Sequence, residues 1–146
     1  MAFSWHKNEL KLKYKKFFHN QKGLPMKIVM ISGHYTGDGS QEVIAKNIAI
    51  AEKFAIALAN KGIGFFCPHC NSAQHEIKGS IIGPQFYVDL NLEIQKRATD
   101  AILMIPGWKT SPGAVNEIKL AKKMDKPIFY PNDENDLQEI EMWYHL

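Results

Sequence analysis

Ala101-Ile102-Leu103-Met104-Ile105 is an apolar run with no polar interruption. A strand with one wet face alternates apolar and polar residues, whereas an unbroken run belongs to a strand covered on both faces. Pro106-Gly107-Trp108 then turns the chain, and Ser111-Pro112-Gly113-Ala114-Val115-Asn116-Glu117 reads as the start of a helix. A buried strand feeding directly into a helix demands cover on two sides and a parallel neighbour.

The rest of the chain repeats this alternation. Lys27 to Ile31 is β-rich and ends at Ser32-Gly33; Asp38, Gly39 and Ser40 form a loop, with Ser40 a good N-cap. Ile44, Ile48, Ala51, Ala55 and Leu58 follow at spacings of four and three, which predicts a helix with one apolar face, stopped by Gly62. Residues 63–67 read as a second strand closed by Pro68, residues 71–83 as a loop, and residues 85–99 as a second helix. The third helix covers residues 111–124 with Ala114, Ile118 and Ala121 inward. A short fourth strand over 126–130 and a last helix over 136–144 complete the pattern. The expected fold is α/β, an open, mostly parallel flavodoxin/Rossmann-like sheet with helices on both faces. In such sheets ligands bind at the carboxyl ends of the strands. Three segments lie there: Ser32 to Gly37, Pro68-His69, and Trp108 to Glu117.

The chain has 146 residues, enough for one domain with a real core, expected over 26–146. Residues 1–25 read as a basic arm, with Leu10, Tyr14, Phe17 and Phe18 forming a rough helical stripe before Gly23 and Pro25 break it. The arm carries six lysines against Glu9, or +5 of a formal net charge of +3, so the body is −2. A mildly acidic body argues against nucleic acid as a partner. No apolar run approaches a bilayer span, and the N-terminus lacks the apolar core of a secretory signal, which predicts a cytoplasmic protein without a membrane partner. Cys67 and Cys70, in Cys67-Pro68-His69-Cys70, can be half of a zinc site, a redox pair or two reduced thiols. With no second pair in the chain, neither a metal nor a cofactor is expected.

Glu117 is the residue best placed to carry chemistry. A carboxylate can attack an anomeric carbon or steady an oxocarbenium-like charge. The plain alternative is an acidic residue near a helix start, where the dipole favours it. Ser111 can bind an anion at the helix start or simply cap it, and Gly113 can admit a ligand close to the backbone or relieve packing. Asp89 and Glu93 lie four apart on one helix face, and one can serve as a second carboxylate. Gly33, His34 and Gly37 form a loose glycine-bearing turn that is neither a Walker loop nor G-x-G-x-x-G, and Gly33, His34 and Tyr35 within it are candidates to bind a substrate. His69 and Trp108 can contact a ligand, the latter by stacking on a base, or can be structural.

Taken together, these residues resemble the nucleoside 2-deoxyribosyltransferase superfamily, and within it the group known as DUF4406. The matching features are Ser32 to Gly37, Asn47-Ile48-Ala51, Gly62, Pro68-His69, Asp100-Ala101, Pro106-Gly107-Trp108 and Ser111-x-Gly113-Ala114-x-x-Glu117, over about residues 27–130. The resemblance implies an N-glycosidic bond as target and Glu117 as nucleophile. In the deoxyribosyltransferases proper an aspartate stands six residues before that glutamate; in the nucleotide N-hydrolase branch a serine there binds the 5'-phosphate. Ser111 matches the second pattern, which points to a nucleoside 5'-monophosphate rather than a free nucleoside. It also implies a homodimer or larger assembly, because neighbouring subunits complete the site. Two positions depart from the pattern: Met30 replaces a tyrosine on the first strand, and Leu92 an aspartate, for which Asp89 is the nearby substitute. A nucleotide-binding module without turnover is the alternative expectation.

Overall fold

The computed structural model describes residues 23–146. Four strands form one sheet: β1 (Ile28–Ser32), β2 (Gly64–Phe66), β3 (Ala101–Met104) and β4 (Ile128–Phe129). Their order is β2-β1-β3-β4 and every pairing is parallel. The helices are α1 (Gln41–Asn60), α2 (Pro68–Asn71), α3 (His75–Lys78), α4 (Pro84–Ala98), α5 (Pro112–Lys123) and α6 (Gln138–Tyr144), with a 3-10 turn over Trp108–Thr110. The expected open α/β sheet is the observed one. The helix expected in the N-terminal arm lies outside the described residues. Among the described residues no helix is long and apolar enough to cross a membrane.

Strand periodicity divides the core. On β1 and β3, Val29, Ile31, Ala101, Leu103 and Ile105 point to one face, where α1 supplies Ala51, Phe54, Ala55 and Leu58 and the C-terminal segment supplies Leu137, Ile140 and Tyr144. Met30, Ile102 and Met104 point to the other, against Ala114, Ile118 and Ala121 of α5. Each fully buried large aliphatic contributes about 1.5–3 kcal/mol. The apolar run that opened the sequence is therefore sandwiched, as its lack of alternation required.

Element boundaries follow local chemistry. Ser40 caps α1 by accepting the Val43 N–H, and Gly62, at φ +70°, turns the chain out behind it. Ile48, expected on the inward face, is only half-buried, while Phe54 is fully enclosed. The expected loop over 71–83 holds more structure than its polarity suggested. Pro68 opens α2 rather than closing a strand, because its fixed φ suits the first helical position and needs no N–H partner there. Gln74 and Gly79, both left-handed, bracket the single turn α3. Asp100 is a structural residue: its carboxylate accepts the Ile28 N–H at 2.7 Å and pins the start of β1.

The order in which strands are added to the sheet reverses between β1 and β3. From β1 the chain runs through α1 on one face to β2, then crosses back to β3 on the far side of β1 and continues through α5 on the other face. The chain thus leaves β1 toward one face and β3 toward the other, the switch point at which an open α/β sheet has its crevice, outside the carboxyl ends of the two strands.

Candidate functional site

Ser32 ends β1 beside Met104 of β3, at the mouth of this crevice. Its side chain falls on the same face as Met30, the face α5 covers. Glu117 projects from the second turn of α5 toward it, and the Ser32 hydroxyl donates to Glu117 Oε2. Burial pushes the Glu117 carboxyl up to about 7, while the bond from Ser32 pulls in the opposite direction. A carboxyl tuned to neutrality, hydrogen-bonded and seated at the strand reversal can exist in both protonation states at physiological pH. A glutamate placed only to suit the dipole would sit in water with an ordinary acidity.

A second contact fixes the helix that bears it. Gln95 of α4 is fully buried, and its Nε2 donates to the Glu117 carbonyl at 2.7 Å. Lys126 Nζ in turn donates to the Gln95 carbonyl. The carboxyl and the backbone of Glu117 are therefore held from β1 and from α4. Sequence reading missed both Ser32 and Gln95 as partners. The signal for Ser32 was its parity with Met30 on a strand facing α5; Gln95 gave none.

The helix start is more selective than a generic anion site. Ser111 is buried and caps α5: its Oγ accepts the Ala114 N–H at 3.3 Å and its carbonyl accepts the Val115 N–H at 3.0 Å. Pro112 has no N–H. Within this first turn the Gly113 N–H is left for a ligand, together with the Ser111 hydroxyl proton, which the cap does not use. A Cβ on Gly113 would meet nothing within 4 Å, so the glycine relieves no packing and leaves open space above the backbone.

Gly33 is different. A Cβ there would lie 2.8 Å from Ile105 Cβ, so this glycine lets the loops after β1 and β3 pack together. His34, next in line, reaches across the crevice: its Nε2 lies 2.7 Å from Thr110 Oγ1. Tyr35 turns away from the crevice. Its hydroxyl accepts the Gln74 N–H at 2.8 Å and donates to Glu76 at 3.0 Å, tying the β1 loop to the α2–α3 segment. Asn47 of α1 holds the same loop, donating to the Tyr35 carbonyl at 2.9 Å. His69 is buried, and its Nε2–H donates to the His34 carbonyl at 2.7 Å. Burial holds its pKa below the ordinary imidazole value, so the ring is neutral and its buried Nδ1 is an acceptor without a partner. Trp108 packs on the second core and tilts against Tyr130, ring centroids 5.5 Å apart.

The two other carboxylates are engaged elsewhere. Asp89 is exposed on α4 and accepts from Gln85 Nε2 at 2.8 Å. Glu93 pairs with Arg97 one turn on. Met30, where the resemblance expects a tyrosine, is fully buried; the hydroxyl on this strand face that meets Glu117 is that of Ser32.

A search of curated proteins finds no match. A family model described as "Domain of unknown function (DUF4406)" matches residues 27–130. That span runs from the residue before β1 to the residue after β4, so it takes in the whole sheet, Ser32, the helix start and Glu117. By this match over most of its length, the chain belongs to the DUF4406 family.

Proposed function

We propose that the protein cleaves or exchanges the N-glycosidic bond of a (deoxy)nucleoside 5'-monophosphate, with Glu117 as the nucleophile. The observation that carries this reading is the Ser32–Glu117 pair at the strand reversal. In its ionised form Glu117 attacks the anomeric carbon, the N-glycosidic bond breaks with its electron pair going to the base, and the departing base takes a proton from water. Water or a second base then releases the sugar from the carboxylate. The Ser111 hydroxyl and the Gly113 N–H receive the 5'-phosphate, Trp108 and His34 flank the base or sugar, and no metal or cofactor takes part. The residue pattern shared with the nucleoside 2-deoxyribosyltransferases supports the same chemistry. A homodimer or larger assembly belongs to the proposal, and the exposed Ile77, Ile81, Ile82 and Phe86 are apolar surface available to it.

The test is a panel of nucleosides and their 5'-monophosphates, followed for free base with the wild type and Glu117→Gln. Release from monophosphates, lost by about a thousand-fold or more in the variant, is the expected result. Full activity in Glu117→Gln would end the nucleophile assignment. Ser111→Asp tests the phosphate contact. Aspartate caps a helix as well as serine does, so the fold should hold. Monophosphate affinity should fall roughly ten-fold or more and nucleoside affinity much less, since a hydrogen bond to a charged group is worth about 1.5–3 kcal/mol. Equal losses for both ligands would reduce Ser111 to a cap.

The exposed position of Asp89, bonded to Gln85, favours a second reading, a nucleotide-binding module without turnover. Calorimetric binding of a monophosphate with no base released over hours would select it.

A further inference from the structure

Cys67 and Cys70 take no part in the chemistry above, yet they are the chain's two cysteines and they meet. The Cys67 thiol donates to Cys70 Sγ at 3.2 Å. A disulfide needs about 2.05 Å, so the sulfurs have roughly 1 Å to travel. Cys67 is the N-cap of α2, with extended rather than helical backbone angles, so one end of the pair can move without unwinding the helix. The two sulfurs differ in access: Cys67 is buried and Cys70 exposed. Among the described residues no group of three or more His, Cys, Asp or Glu side chains is placed to hold a metal.

We propose that Cys67 and Cys70 are a modification site, a dithiol that small-molecule disulfides such as glutathione disulfide convert to an intramolecular disulfide. The exposed Cys70, as thiolate, attacks one sulfur of the oxidant, and one glutathione thiolate leaves. Cys67 then gives up its proton, attacks Cys70 Sγ and expels the second glutathione. Two protein thiols are oxidised, one external disulfide becomes two thiols, and the atoms balance. Burial pushes the Cys67 thiol up to about 12, with the bond to Cys70 adding to it, so Cys67 stays protonated until its partner presents the mixed disulfide. That fixes the order of the two steps.

The pair brackets His69, whose ring donates to the His34 carbonyl at 2.7 Å and lies against Tyr35, centroids 5.9 Å apart. Closing the disulfide pulls on the backbone that carries this ring. The loop after β1, next to Ser32, therefore registers the redox state of the pair.

The full-length protein is treated with glutathione disulfide and followed by intact mass and non-reducing peptide mapping. The wild type should lose two hydrogens, ~2 Da, through a 67–70 link. Cys67→Ser should stop at a glutathione adduct on Cys70, and Cys70→Ser should resist modification. The His69 imidazole signals, read by NMR, should move on closure and return with dithiothreitol. A wild type that stays unmodified, ends as a stable Cys70 adduct or links two chains would overturn the site. Unchanged His69 signals in the closed form would overturn its connection to the loop. None of these readouts depends on base release.

Discussion

The two faces of the sheet are built from alternate residues of the same strands, yet they differ in kind. The face covered by α1 and α6 is apolar apart from the Tyr144 hydroxyl, which is buried without a partner, and Leu58, Leu103, Leu137 and Ile140 are sealed from water there. The face covered by α5 has the smaller apolar cluster and also takes in Ser32, Gln95 and the Glu117 carboxyl. Burying polar groups costs free energy unless each is paired. Here Ser32 pairs with Glu117, and the Gln95 Nε2 with its carbonyl, while Gln95 Oε1 is left without a partner. The first face holds the fold, and the second gives up stability to keep a carboxyl poised at the crevice.

The largest effect expected from this division is on the dry face. Leu103→Ala removes a fully buried side chain from the middle of β3, and large-to-small changes of this kind cost about 2–5 kcal/mol. Denaturant unfolding should show that loss, while the pH at which Glu117 titrates stays put because the Leu103 side chain lies on the opposite face. A shifted Glu117 titration in Leu103→Ala would break the separation of the faces.

Glu117 should instead reveal itself through pH. Its folded pKa, about 7, lies above its ordinary value of 4.5. Between those values the folded chain binds more protons than the unfolded one. The contribution to stability is whole below pH 4.5, declines as pH rises toward 7 and is gone above it. The shift corresponds to a loss of up to about 3 kcal/mol. Glu117→Gln should flatten this limb, leaving the variant more stable than the wild type at pH 8 and little different at pH 4.5. Base release in the wild type should follow the opposite slope, rising through about pH 7 as the carboxylate forms. His69, buried neutral, works in the other direction: it destabilises the fold as pH falls through and below the ordinary imidazole range. Parallel stability curves for wild type and Glu117→Gln between pH 5 and 8 would show that the carboxyl is not held in a buried state.

Sequence reading caught the dry face and only half of the wet one. The run Ala101 to Ile105 and the spacing of Ala114, Ile118 and Ala121 are periodic signals, and periodicity is what burial imposes on a chain. The strand ends were legible for the same reason, and with them Glu117 and Ser111. Polar partners leave no such trace. A serine at the end of a strand reads as a turn residue, and a glutamine on a helix as a wet one, although Gln95 is fully buried. The stretch over 71–83 reads as loop because the helical turn α3 within it is set by Gln74, Gly79 and the hydroxyl of Tyr35, which are contacts rather than patterns.

The smallest effect, and the sharpest test of the wet face, belongs to Ser32→Ala. Alanine keeps the strand and deletes one hydroxyl, so the sheet should be undisturbed. Two consequences follow from the loss of the bond to Glu117 Oε2. The Ser32 bond is what holds the carboxyl down against burial, so without it Glu117 should titrate above 7, and the rise of activity with pH should move up with it. The stability cost should also depend on charge. Hydrogen bonds to charged groups are worth about 1.5–3 kcal/mol and those between neutral groups about 0.5–1.5. The variant should therefore lose more at pH 8, where the carboxylate is the acceptor, than at pH 5, where the acid is neutral. A carbon-13 titration of Glu117 and unfolding at the two pH values read both. If Ser32→Ala lost the same stability at pH 5 and pH 8 and left the titration at about 7, Ser32 would be a packing residue, and the carboxyl would owe its position to α5 and Gln95 alone.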